Sequence, residues 1–257
     1  MLTIRSAQME VFRAKAHRAF ADEMVEYLAT FSPPLFATLS EASRYHVVEL
    51  GIERAQGYGL SLRGPVRLYL ELMVLLGSQF DTDPQYPWAA AVLNDPHALP
   101  EMQRAEQLYE HTMDYRRDVA GPDDAYMLQA LINIQILAQH PLNIALHNPV
   151  ADIVGEIHRI YPEKAAYLGT QRLEALINKG IAGARKQQFA TPRGITLVVL
   201  LMLMLGHGCG ADPLYPWIAK ALQDEQTHDP EAKAKRLEAK ALTWLEHVIA
   251  NFDQDTV

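Results

Sequence analysis

The chain writes one stretch twice. Leu68 to Asp95, LYLELMVLLGSQFDTDPQYPWAAAVLND, returns after an offset of 129 residues as Leu197 to Asp224, LVVLLMLMLGHGCGADPLYPWIAKALQD. Gly77 then corresponds to Gly206, Asp83-Pro84 to Asp212-Pro213, and Tyr86-Pro87-Trp88 to Tyr215-Pro216-Trp217. Counted from Gly51 and Gly180 to Asp95 and Asp224, 16 of 45 paired positions are identical, where unrelated segments would share about three at average residue frequencies. A repeat of this kind predicts two tandem homologous lobes, at 1–118 and 149–257, joined by a connector at 119–148. Each lobe is long enough to bury a core of its own.

The hydrophobic period is helical throughout. Met9, Phe12, Ala16, Phe20, Met24, Leu28 and Phe31 step by three and four, which predicts a helix over about 4–31, ended by Ser32-Pro33-Pro34. Further helices are expected over about 35–56, 64–76, 87–94, 100–118, 125–139, 149–160, 164–186, 192–205, 214–223 and 230–252. No sustained alternation of period two and no Asn-Gly hairpin occurs, so the expected class is all-α. Asp83 before Pro84 has the grammar of a helix N-cap followed by proline at the first helical position, with Tyr86-Pro87 as the alternative start. The same capping reading covers Asp212, and Asp95 with Asp224. Trp88 and Trp217 are expected to plug corners of the core, each indole N–H satisfied by a nearby carbonyl.

Charge narrows the range of partners. The net charge of -8 and pI near 5.7 argue against a grip on nucleic acid, which needs clustered Lys and Arg. Ile195 to Leu205, ITLVVLLMLML, imitates a membrane span but falls well short of the roughly 20 residues one requires, so no membrane insertion is expected. No apolar export segment opens the sequence, and the single cysteine, Cys209, allows no internal disulfide, so a cytoplasmic address is the expectation.

The candidate chemistry is sparse. Asp81, Asp83 and Asp95, with Trp88 and His97 nearby, could suggest a calcium loop, but counting from Asp81 the sixth and twelfth positions hold Tyr86 and Val92, not the glycine and glutamate required. No H-E-x-x-H helix, G-x-S-x-G elbow or phosphate loop is present. No catalytic, metal or cofactor residues are therefore assigned. The copies diverge where Gly57-Tyr58-Gly59 faces Lys186-Gln187-Gln188 and where Phe80-Asp81 faces Cys209-Gly210. Tyr58, Phe80, Asp81 and His207 are the candidate partner contacts.

One resemblance adds to this. Ile4, Gln8, Phe20, Met24 and Leu28, then Gly51-Ile52, Ala55, Tyr58-Gly59, Leu72-Met73, Gly77, Phe80-Asp81, Asp83-Pro84 and Pro87-Trp88-Ala89 form a pattern that resembles small helical bacterial proteins encoded beside type VI secretion spike proteins and their effectors. It covers 1–118 and, more faintly, 150–252. It implies an accessory chaperone or adaptor that binds another protein, a secretion effector, its adaptor or a toxin, and it carries over no catalytic residue. The rival expectations are an immunity protein that neutralises a toxin, and an α-helical metal-dependent enzyme using Asp81, Asp83 and His207.

Overall fold

The computed structural model describes residues 6–95, 99–140, 142, 144, 148–222 and 229–254. Among these residues the protein is all-helical, without a strand. The N-terminal half comprises α1 (Ser6–Phe31), α2 (Pro33–Ala37), α3 (Glu41–Gly57), α4 (Arg63–Leu76), α5 (Pro87–Leu93) and α6 (Glu101–Tyr115). A π turn (Arg116–Ala120) and α7 (Ala125–Ala138) lead to the C-terminal half: α8 (Pro149–Ile160), α9 (Pro162–Lys186), α10 (Pro192–Leu205), α11 (Pro216–Leu222) and α12 (Pro230–Gln254).

The expected 35–56 helix is two pieces. Ser40 accepts a hydrogen bond from the Ser43 N–H at 3.2 Å and starts α3 afresh after α2. In the C-terminal half the equivalent position is Gly169, whose φ of 67° bends α9 without ending it. Helix α5 begins at Pro87, with Tyr86 rather than Asp83 before its first turn. Of the two expected starts, Tyr86-Pro87 is therefore the one observed and the N-cap assignment of Asp83 is corrected: the helix starts three residues later than that reading requires.

In each half the repeated apolar helix is the middle of the packing. α4 lies between α3 and α6, and α10 lies between α9 and α12. Gly51 and Gly180 make the first of these contacts close: a Cβ on Gly51 would sit 2.3 Å from Leu70 Cδ2, and one on Gly180 2.7 Å from Val199 Cγ2. Cationic side chains brace the same corner in both halves. Arg104 of α6 donates to the carbonyl oxygens of Tyr58 (2.7 Å) and Gly59 (3.1 Å) past the end of α3, and Lys233 of α12 donates to that of Gln187 (2.8 Å) past the end of α9. Both satisfy carbonyls that a helix end leaves unpaired.

The buried apolar residues of the two halves do not form two separate cores. Leu70, Met73, Phe80 and Tyr86 belong to the same continuous cluster as Ile177, Val199, Leu203 and Leu214. At about 1.5–3 kcal/mol for each large side chain fully removed from water, this shared cluster is the main source of stability.

Candidate functional site

Helices α4 and α10 meet end to end. Gly77 and Gly206 close them with φ of 95° and 91°, a region costly for any residue with a Cβ. A Cβ on Gly77 would lie 2.5 Å from the carbonyl oxygen of Leu205, and one on Gly206 would lie 2.9 Å from that of Leu76. Each glycine makes room for the other helix, so two helix C-termini touch backbone to backbone.

Their partners cross over. The Asp83 carboxylate accepts from the His207 backbone N–H at 2.6 Å and from that of Gln85 at 2.9 Å. Asp212 accepts from the Ser78 N–H at 2.8 Å and from that of Leu214 at 2.9 Å. Under the offset of 129, Ser78 pairs with His207 and Gln85 with Leu214, so the two aspartates make the same bonds in opposite directions. Both are 2% exposed, and each carboxylate lies where the N–H groups beyond the opposite helix end would otherwise be buried unpaired.

The symmetry breaks at the side chains. His207 Nδ1 stands 3.2 Å from Asp83 Oδ2, off the hydrogen-bonding line, whereas Asp212 faces the small Ser78. Burial alone would push Asp83 up, but the His207 side chain and the Gln85 and His207 backbone donors outweigh it and hold the carboxyl below its usual value. For Asp212 burial wins over the Leu214 and Ser78 donors, and its pKa is raised. Carbonyls at the end of α10 gain two further donors: Gln85 Nε2 reaches Met202 at 3.0 Å and Lys164 Nζ reaches Leu203 at 2.5 Å. Lys164 is 3% exposed, and its ammonium lies 5.9 and 6.0 Å from the Tyr86 and Tyr115 ring centres. Burial depresses its pKa to about 8, with Asp83 opposing the shift.

A second polar group lies inside the N-terminal half. Asp81 accepts from the Tyr69 hydroxyl at 2.7 Å and pairs with Arg54. Burial first, then the Asp81 charge, raises the Tyr58 hydroxyl to about 12. In the C-terminal half Arg54, Tyr69, Asp81 and Tyr58 are matched by Gly183, Val198, Gly210 and Gln187. The ion pair and its supporting tyrosine are absent there together, as expected of a buried charge that is costly without its partner.

These placements revise the candidate contacts. Phe80 is fully buried against Tyr69, with ring centres 4.9 Å apart, and Asp81 is 1% exposed. Neither can meet a partner without unfolding the loop, because the divergence at 80–81 exchanges one internal packing solution for another. The His207 side chain is 7% exposed and packed at the seam, not solvated. Tyr58 is half-buried beside Asp81. Asp81 and Asp83 turn to different partners, and no group of three or more His, Cys, Asp or Glu that could hold a metal ion occurs among the described residues. Cys209 is buried, and burial raises its thiol to about 12, which keeps it protonated. His97 and Asp224 lie outside the described residues.

The tryptophan corners are alike in plan. Tyr86 meets Tyr115 edge to face at 5.2 Å while Trp88 stacks on His111 at 5.7 Å. Tyr215 meets Trp244 edge to face at 6.2 Å while Trp217 stacks on Trp244 at 6.5 Å. Tyr115 and Trp244 are themselves 129 apart. The expected carbonyl acceptors for the indole N–H groups are missing: the Trp88 indole approaches the Tyr167 hydroxyl off the hydrogen-bonding line, and Trp217 Nε1 meets no acceptor among the described residues. Beside Trp244, residues of α7, α10 and α12 line an apolar hollow of about 60 Å³, including Leu131, Ile134, Leu197, Leu200 and Met204. At the position matching Leu200 the other half has Glu71, which accepts from Tyr27 at 2.6 Å and pairs with Arg67 at 3.2 Å.

No protein-family model, curated protein or solved structure matches the chain. Among the described residues, no helix is long and apolar enough to cross a membrane. Lys164 escaped the sequence reading because its counterpart in the other half is Leu35 and nothing local marks it as buried. Arg104 and Lys233 do carry a signal in the sequence, being cations 129 apart beyond the strongly matching stretch that ends at Asp95 and Asp224. Trp244 carried no signal in the sequence, since its counterpart is a tyrosine.

Proposed function

We propose that the protein is a non-enzymatic, protein-binding scaffold built from two fused copies of one helical unit. We further propose that it acts as an accessory chaperone or adaptor, the role implied by the resemblance to proteins encoded beside type VI secretion components. One observation carries the scaffold reading: the most reactive-looking residues of the repeated motif, Asp83 and Asp212, are buried and engaged with backbone N–H groups across the seam. That placement supports a role for both aspartates in locking the two units together. The adaptor role rests on the sequence resemblance alone.

The test is co-expression with the products of neighbouring genes. A chaperone or adaptor is expected to co-elute with one of them as a stoichiometric complex and to raise its soluble level. Failure of every neighbouring product to co-elute would overturn the adaptor role. Rescue of cells from a toxin without any gain in that toxin's level or delivery would replace it with an immunity role.

A further inference from the structure

Helix α12 has a neighbour that its counterpart α6 lacks among the described residues. α12 packs against α10, α11 and α7, whereas α6 packs against α4, α5 and the π turn that continues it. Helix α7 faces Met204, Glu238 and Leu242 across the apolar hollow. Arg193 ties its end, donating to the Ala138 and His140 carbonyls while it pairs with Glu238. Under the offset of 129, Met204, Glu238 and Leu242 match Leu75, Tyr109 and Met113. The first three are all partly buried, whereas Leu75 is 45% exposed, Tyr109 54% and Met113 37%.

The difference comes from the connection. The end of α7, 135–138, matches 6–9, but α7 stops at Ala138 and α8 starts afresh at Pro149, whereas 6–9 open the unbroken helix α1. Residues 9–19 of α1 are all exposed, so none of them is packed as Leu131 and Leu137 of α7 are. A groove between α4 and α6 is left open, with Leu68, Leu75, Tyr109 and Met113 as its apolar walls. Beside them Arg67 pairs with Glu71 at 3.2 Å and the Tyr27 hydroxyl donates to Glu71, so a covering helix leaves neither charge alone. Glu106 and Glu110 stand exposed along the α6 rim, in no ion pair among the described residues.

We propose that this groove takes an apolar helix of α7's kind from another protein, with basic residues along the edge that meets Glu106 and Glu110. The chain's own second half indicates the occupant. There the same groove, 129 residues on, is filled by a helix that carries no charge and turns Leu131, Ile134, Leu137 and Ala138 toward it. Anchors one turn apart are how an amphipathic helix is held in a groove. The rim sets the partner's charge, because Glu106 and Glu110 stand where the C-terminal half has Lys235 and Ala239. The groove supplies the contact surface of the proposed protein-binding scaffold and rests on that function.

The probe is a fluorescein-labelled peptide of residues 125–138 in which Gln129 and Ile136, both exposed in α7, become lysine (Gln129→Lys, Ile136→Lys). Titrated with the full native chain and followed by fluorescence anisotropy, it should bind with a Kd of about 1–50 μM. Leu75→Lys with Tyr109→Lys should weaken binding by more than about tenfold. Helical circular dichroism should be unchanged, because both side chains are exposed. Glu106→Lys with Glu110→Lys should weaken it about threefold or more at low salt. No binding at about 100 μM, or binding that either double variant leaves unchanged, overturns the proposal. So does self-association of the native chain that Leu75→Lys with Tyr109→Lys abolishes, which gives the groove to a second copy. If the peptide fails while a neighbouring gene product co-elutes, the groove assignment falls and the scaffold function stands. If the peptide binds in the groove while no product co-elutes, the adaptor role falls and the groove stands.

Discussion

Asp83 and Asp212 show how one letter in two matched places acquires opposite electrostatics. Asp83 is held low, so it favours the folded state above its ordinary pKa of 3.8, and this support is lost as falling pH protonates it in the native protein. Asp212 is held high, so its negative charge begins to oppose folding as pH rises past the same ordinary value. Asp83→Asn should therefore cost about 2–4 kcal/mol at neutral pH, by loss of charge-assisted bonds to buried donors, while Asp212→Asn should cost less, about 1–2 kcal/mol, since it also leaves one buried N–H unpaired but removes a charge that burial disfavours. Urea unfolding of both variants checks the difference, which should shrink toward pH 3. Lys164 works in the opposite range. Its folded pKa of about 8 lies below the ordinary 10.5, so between those values the unfolded chain binds the proton that the native one has shed. Stability should rise across that window by up to roughly 3 kcal/mol, until the buried tyrosines reverse it above about pH 10. In Lys164→Met, unfolding at pH 8 and at pH 10 should show that rise abolished.

At the scale of elements, the helices themselves were legible because each carries its own period. Helix α10 falls on the predicted 192–205, and α4 starts one residue from its prediction. Of the two helix starts that the loop between α4 and α5 offers, Tyr86-Pro87 holds and Asp83-Pro84 does not, although Asp-Pro also looks like a helix start when judged by nearest neighbours. The Asp83 carboxylate in fact serves His207, 124 positions away, as Asp212 serves Ser78, 134 positions away, and no local window can contain such pairings. The glycines that end α4 and α10 provide the space that lets the two ends touch. Gly77→Ala and Gly206→Ala should each cost more than about 3 kcal/mol, because strain at positive φ adds to collision with a backbone carbonyl. Trp88→Ala and Trp217→Ala should each cost about 3 kcal/mol by thermal or chemical unfolding. Neither indole N–H is held by a well-aligned acceptor, so the cost is chiefly one of packing.

At the scale of the whole molecule, the shared core and crossed aspartates join the two halves into one cooperative unit. Fluorescence and far-ultraviolet circular dichroism should therefore follow a single coincident unfolding transition. Residues 1–118 expressed alone should lack a cooperative transition, because Gly77, Ser78 and Asp83 would lose the groups they pack against and leave the end of α4 bare.

The sequence by itself determined the helical class, most helix limits and the offset that matches one half to the other, because periodicity and self-similarity are written in consecutive letters. Tertiary structure alone decided what the repeated letters do. A buried carboxylate is defined by the donors around it, and here those donors arrive from the other half of the chain. It also decided that Phe80 and Asp81 face inward, since exposure follows from what packs above a residue and that is not encoded at the residue itself.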